Sequence, residues 1–328
     1  MKNWKKAIAV CASAAALVSM TACGGSNSSS SGSDSGKKTI GFVAVGPEGG
    51  FRTANENDLK KAFKAAGFNL VYSPTQSNDQ QKQIQAFNKF VNDEVDAIVL
   101  SATNDSGWDD CLENAAEAEI PVFTVDRNIS IKSAAAKKAV VSHIGPSNVW
   151  AGEQAAEFVN KNFPDGANGF ILEGPAGLSV VTDRGQGWKN KAASNIKVLE
   201  SQSANWSTDE AKTVTAGLLD KHKSDNPQFI FAQNDEMGLG AAQAVDAAGL
   251  KGKVKIITID GTKAALQSLV DGDLSYVIEY NPIFGEETAN AVKDYLNGKS
   301  VKKDIEIESK TFDAKSAKEA LDAGTRAY

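Results

Sequence analysis

Histidine and cysteine are scarce in this 328-residue chain: two His and three Cys leave too few ligands for a structural zinc site, which takes four. A surplus of basic charge is missing too. Acidic residues outnumber basic ones 41 to 35, a formal charge of -6, which argues against nucleic acid as the main partner because phosphate binding wants clustered Lys and Arg. The apolar stretch Ala7 to Val18 is too short for a membrane span of about 20 residues. No repeat of 20 to 50 residues, no P-loop and no GxSxG elbow occurs. Gly238-Leu239-Gly240 opens like a dinucleotide fingerprint, but Gln243 stands where the third glycine belongs. GLGAAQAV therefore reads as a closely packed helix.

What is present is ordinary for a folded protein: 41% apolar, 23% charged and 7% aromatic residues. A single core stops growing near about 250–300 residues, so two domains or lobes are expected. The amino end reads as a secretory signal. Lys2, Lys5 and Lys6 precede the apolar stretch, which runs into Met20-Thr21-Ala22-Cys23, a lipobox pattern that would make an acylated Cys23 the new amino terminus. A Ser/Gly-rich tether follows to Lys38, with nothing to bury. Removing residues 1–22 leaves 32 basic against 41 acidic residues, a charge of -9, with Cys111 the one cysteine besides the lipidated one. The exported fold must then be held by core burial, without a disulfide.

From Thr39 onward, short apolar runs alternate with amphipathic stretches. The runs are Ile40 to Val45, Val95 to Leu100, Pro121 to Val125, Gly169 to Leu172, Phe229 to Ala232, Ile256 to Ile259 and Tyr276 to Ile278. Unbroken Val, Ile and Phe suit parallel strands covered on both faces. Between them, Ile84, Phe87 and Val91, and again Ala289, Val292 and Leu296, repeat at helical spacing. The alternation predicts an α/β fold of two doubly wound, Rossmann-like lobes.

Ligands of such sheets bind beyond the carboxyl ends of the strands. The segments that follow the runs include PEGGFR (Pro47 to Arg52), SATNDSGW (Ser101 to Trp108), Asp126-Arg127, EGPAGLSVVTDR (Glu173 to Arg184), QNDE (Gln233 to Glu236), Asp260-Gly261 and Glu279. Arg52, Arg127 and Arg184 thus stand among Glu48, Asp126, Asp260 and Glu279. A mixed set suits a neutral polyhydroxyl ligand, whose hydroxyls both donate and accept. Each charge-assisted bond contributes roughly 1.5–3 kcal/mol. Phe51, Trp108 and Trp206 are candidate platforms for the C–H faces of a sugar ring, with Phe51 and Trp108 open between core and pocket. Asp235, Asp183 and Thr208, taken singly, read as helix caps. His143 reads as a structural histidine and His222 as a solvated helix end. Paired carboxylates also serve glycosidases, but three arginines among them are expected to hold their pKa values low, the wrong direction for a general acid. No catalytic residue, metal or cofactor is expected.

The lipobox and tether, Asp126-Arg127, VVSHI with SNV (Val140 to Val149), FAQNDEMGLGA (Phe231 to Ala241) and Ile259-Asp260-Gly261 together resemble the type I periplasmic sugar-binding proteins over essentially the whole mature chain. PEGGFRTA, SGW, TDRGQGW and QSANWS look closer to the galactofuranose-binding and the lipidated fructose-binding components of ABC importers. The resemblance implies contacts from Glu48, Phe51 and Arg52, hydroxyl clasping by Asp126, Arg127 and Arg184, stacking by Trp206, and further contacts from Asn234, Asp260 and Glu279. Glu279 stands where ribose binders have Gln, and Glu48 and Arg52 replace Asn and Phe, which speaks against simple ribose specificity.

The same resemblance implies a three-segment hinge near Pro146-Ser147, Glu279 to Asn281 and Ser309-Lys310. Behind a signal (1–22) and lipidated tether (23–38), one lobe would comprise 39–146 plus 281–309, the other 147–280 plus 310–328. The implied protein is a monomeric, extracytoplasmic receptor, lipid-anchored to the outer face of the cell membrane. It would bind a monosaccharide, fructose first and galactofuranose, ribose or xylose as alternatives, and deliver it to an ABC permease and its ATPase. A receptor for a membrane sensor is a second reading, and an exported glycosidase is the enzymatic rival.

Overall fold

A computed structural model describes residues 36–76, 79–324, 326 and 328. The expected signal peptide, Cys23 and the tether up to residue 35 lie outside the described residues. The first lobe opens with β1 (Thr39–Ala44), α1 (Gly50–Ala65), β2 (Asn69–Pro74), α2 (Gln80–Asn92), β3 (Ala97–Leu100), α3 (Asp109–Glu117), β4 (Val122–Val125), the one-turn α4 (Ala136–Ala139) and β5 (Val140–Pro146). The second continues with α5 (Asn148–Asn162), β6 (Ala167–Glu173), α6 (Ser179–Lys191), β7 (Ile196–Ser203), α7 (Thr208–Lys221), β8 (Pro227–Ala232), α8 (Asp235–Ala247), β9 (Lys255–Asp260), α9 (Lys263–Val270) and β10 (Tyr276–Glu279). Then α10 (Gly285–Leu296) and β11 (Asp304–Ile307) return to the first lobe, and β12 (Thr311–Phe312) and α11 (Ala314–Asp322) close the second.

Each lobe is a six-stranded sheet, in the orders β11-β5-β4-β3-β1-β2 and β12-β10-β9-β8-β6-β7. Every pairing is parallel except β10 with β12. The first five strands of each lobe take the order 2-1-3-4-5, a doubly wound arrangement with helices on both faces. That is why AIVL of β3 and VFTV of β4 are buried at every residue, with no polar alternation. Separate apolar clusters line the two faces of each sheet. Trp108 belongs to one of them. It is fully buried, its Nε1 donating to the Asn104 carbonyl at 2.7 Å, so it is core and not a pocket wall.

Capping falls one residue before two of the three expected positions. Asn234 caps α8 and Ser207 caps α7, whereas Asp235 and Thr208 are the first residues inside their helices and Asp183 lies within α6. The cap must keep an extended backbone while its side chain reaches back to the third amide, which Asn234 does at 3.0 Å to Met237 N. Glycines of the GLGAAQAV segment do pack closely: a methyl on Gly240 would lie 2.2 Å from the Thr208 carbonyl of α7.

Between the sheets the chain passes after Pro146, after Glu279 and between Ile307 and Thr311. Two of these passages are bonded to each other. Asn281 N donates to Ser309 Oγ at 3.2 Å, Asn281 Nδ2 to the Glu308 carbonyl at 3.1 Å, and Glu279 N to the Lys310 carbonyl at 2.8 Å.

Candidate functional site

The carboxyl ends of both sheets face one cavity lined by residues of both lobes, the place where open parallel sheets hold their ligands. From the first lobe come Glu48, Phe51 and Arg52, where β1 turns into α1, and Asp126 and Arg127 directly after β4. From the second come Val180 and Arg184 on α6, Trp206 after β7, Asn234 and Glu236 around the start of α8, and Asp260, the last residue of β9. Tyr280, immediately after β10, completes the lining. Three of these hold backbone conformations that L-residues seldom adopt: Asp126, Trp206 and Asp260 have φ of 66°, 60° and 133°. Such positions persist only where the surroundings over-determine them, and they cluster at functional sites.

The guanidiniums are fixed before any ligand arrives. Arg52 donates to the Asp126 carboxylate and, at 3.0 Å, to Ser101 Oγ. Arg127 donates to the carbonyls of Ala102 and Thr103, at 3.3 and 3.2 Å, and to the Glu48 carboxylate. Arg184 Nε donates to Asn148 Oδ1 at 2.9 Å and Nη1 to the Gln233 carbonyl, while its planar head lies 4.9 Å from the Tyr280 ring. Guanidiniums held by buried partners give orientation without reorganisation on binding, and not every donor is used, since Arg52 Nε has no partner.

Burial would raise the pKa of Glu48 and Asp126, but flanking guanidiniums of Arg127 and Arg52 outweigh it and hold both carboxyls below the usual range. Asp260 departs from the sequence expectation that the arginines keep every carboxylate low. Burial pushes it well up, and Arg184 stands 3.6 Å away, too far to compensate, with Asp235 and Glu236 adding like charge.

Aromatic walls complete the site. Phe51 packs on Tyr280 with ring centroids 5.1 Å apart. Trp206 lies against Gly174, where a methyl group would come within 2.0 Å of the indole. Among the described residues no cluster of three or more His, Cys, Asp or Glu is placed to hold a metal ion. Neither histidine reaches the lining: His143 shares a 3.1 Å hydrogen bond with Thr124 Oγ1 inside the first sheet, and His222 pairs with Asp225 and Glu200.

Nine of the ten residues expected from sequence line the cavity, and Glu279 does not. Its carboxylate accepts from Arg326 and from Lys310 N, on the far side of the strand. The neighbour that does line the cavity, Tyr280, carries no charge to mark it in the sequence. Glu236 and Val180 were likewise passed over, although both lie in segments that follow apolar runs. Contacts between the lobes rim the site: Gly50 N donates to Glu236 Oε1 at 3.4 Å, and Ser179 Oγ to Asp105 Oδ1 and the Asn128 carbonyl at 3.2 and 3.3 Å.

Two parallel-stranded lobes meeting over a polar, aromatic-walled cavity define a two-lobed receptor for a small solute. The chain belongs to the family described as periplasmic binding protein domain, whose pattern matches residues 40–300. Membership places the folded part outside the cytoplasm. Over 328 residues the chain is 85% identical to the fructose import binding protein FruE of Bifidobacterium longum, covering all of both sequences. It is 30% identical to the galactofuranose-binding protein YtfQ of Escherichia coli, over 97% of this chain and 98% of that one. Among solved structures, one from Mycobacterium smegmatis in complex with β-D-fucofuranose superposes with a TM-score of 0.81 at 32% identity, covering 88% of this chain and 95% of that one.

Proposed function

We propose that this protein is the solute receptor of an ABC sugar importer, that it captures a neutral monosaccharide between its lobes, fructose before galactofuranose, ribose or xylose, and that it hands the sugar unchanged to the permease and its ATPase. The observation that carries this reading is the cavity itself. Four carboxylates and three guanidiniums from both lobes, nearly balanced in charge, offer acceptors and donors around rings that can face the C–H surface of a sugar. Fructose is preferred because the relative with 85% identity over the full length bears that sugar in its name. A micromolar dissociation constant corresponds to about -8 kcal/mol, which several charge-assisted bonds and ring contacts supply after the cost of association.

The lobes are taken as 39–146 plus 281–309 and 147–280 plus 310–328, turning about the three crossings, with a monomer as the working unit. Acylated Cys23 and the tether that follows would keep it at the outer face of the membrane. Among the described residues no helix is long and apolar enough to cross a membrane. Titration calorimetry of the full chain against fructose, galactose, ribose, xylose, arabinose and glucose tests the ligand: binding to fructose with micromolar or tighter affinity is expected, and no heat with any of the six overturns the reading.

A further inference from the structure

Asp260, at φ 133°, is followed by Gly261 at 85°, so the turn that aims this carboxylate into the cavity is strained and must be held from outside. Its backbone groups are gripped one by one. Asp235 Oδ2 accepts from Gly261 N at 2.9 Å and from Thr262 N at 2.7 Å. Arg326 Nη2 donates to the Gly261 carbonyl, and Tyr328 Oη donates to the Asp260 carbonyl at 2.6 Å. The Tyr328 carbonyl in turn accepts from Lys263 N at 2.8 Å. Arg326 is itself fixed: its second terminal nitrogen donates to Glu279, and its planar head lies 5.2 Å from the Phe312 ring and 5.6 Å from that of Tyr328. Neither Arg326 nor Tyr328 lines the cavity.

We propose that Arg326 and Tyr328 are positioning residues for Asp260, holding its strained turn so that the carboxylate meets the sugar, and that Glu279 acts as the counter-charge of Arg326 without touching ligand. The role in sugar binding rests on the receptor reading above; the clamp on the turn does not. Charge supports it. Asp235, Glu236, Asp260 and Glu279 crowd this corner of the second lobe, with Arg184 and Arg326 as the cations among them. Loss of Arg326 would strand a buried Glu279 and release the Gly261 carbonyl together. Tyr328 also reaches the other lobe, since a methyl on Gly50 would lie 3.3 Å from its ring.

Two measurements on the full chain separate this proposal from the receptor reading. Hydrogen exchange reports the clamp: in Arg326→Ala and Tyr328→Phe the amides of Gly261 to Lys263 are expected to exchange at least tenfold faster, with those of β8 unchanged. Equal exchange in the variants and the parent overturns the proposal. Faster exchange in the variants, with a parent that binds none of the six sugars, leaves the clamp standing and removes the receptor reading and the sugar role with it. Calorimetry with fructose reports the consequence: at least fivefold weaker binding for Arg326→Ala, partial recovery in Arg326→Lys, and no further loss when Glu279→Gln is added to Arg326→Ala. Full affinity in Arg326→Ala, or a loss that multiplies on adding Glu279→Gln, overturns it, the latter by making Glu279 a ligand contact.

Discussion

Carboxylates of the cavity fall into two groups set by distance to a guanidinium. Glu48 and Asp126, each bonded to one, are held low and stay charged, so their share of stability is present above the ordinary carboxylate range and is lost as pH falls through their depressed values. Asp235, buried behind the cavity and not part of its lining, is the opposite case. Burial raises it to about 7, with Glu236 adding like charge and Asp260 and Tyr328 close by. A folded-state pKa above the unfolded value means that folding binds a proton between about 4 and 7, and stability falls as pH rises across that window. Asp235→Asn keeps an acceptor for the turn and removes the charge. Its melting temperature relative to the parent is expected to climb from pH 4 to pH 7 and stay level above; a difference independent of pH counts against the assignment. For the ligand, Arg127→Ala and Asp260→Ala are each expected to weaken fructose binding at least tenfold by calorimetry, with far-UV circular dichroism unchanged. Charged residues after apolar runs were legible from sequence because charge next to a buried strand is expensive unless it is used. Glu279 shows the limit: Asp260, its register partner on the next strand, lines the cavity while Glu279 is taken up by Arg326 and Lys310 N, partners distant in sequence.

Seven apolar runs read from sequence correspond to β1, β3, β4, β6, β8, β9 and β10. The strands left unread include all four edges, β2, β7, β11 and β12, whose residues are largely exposed or half-buried. An edge strand is wetted on one side and needs no continuous apolar run, so local composition does not announce it. Helix pairing shows what composition cannot reach either. On α6, which carries Arg184, a methyl at Gly187 would come within 2.0 Å of the Val149 carbonyl of α5, and one at Gly152 within 2.0 Å of the Arg184 carbonyl. The two backbones touch because both residues lack a side chain. Gly187→Ala is therefore expected to destabilise by about 1–3 kcal/mol in urea unfolding, and to weaken fructose binding because α6 moves with its arginine. Unchanged stability would show that the helices separate freely.

Across the whole molecule, residues of both lobes line the cavity, so a ligand held by both would favour the state in which the lobes meet, the differential affinity that a population shift requires. Fructose is expected to lower the radius of gyration in small-angle scattering; an equal radius with and without sugar would mean that closure does not follow binding. Ser179 touches Asp105 and Asn128 across the two lobes. Ser179→Ala removes bonds worth about 0.5–1.5 kcal/mol net, and a two- to tenfold loss of affinity carried by faster release is the expected outcome in stopped-flow measurements.

The amino-acid sequence by itself determined the α/β class, the presence of two lobes and most of the charged residues at the cavity, because each is written locally, as an unbroken apolar run or as a charge directly after one. Tertiary structure alone decided which neighbour of a pair lines the cavity, where the edge strands lie, that Trp108 is core, and that Arg326 and Tyr328 bond the turn at Asp260 from far along the chain. Those outcomes depend on contacts between residues distant in sequence, whose energies are set by distance and burial and leave no local pattern to read.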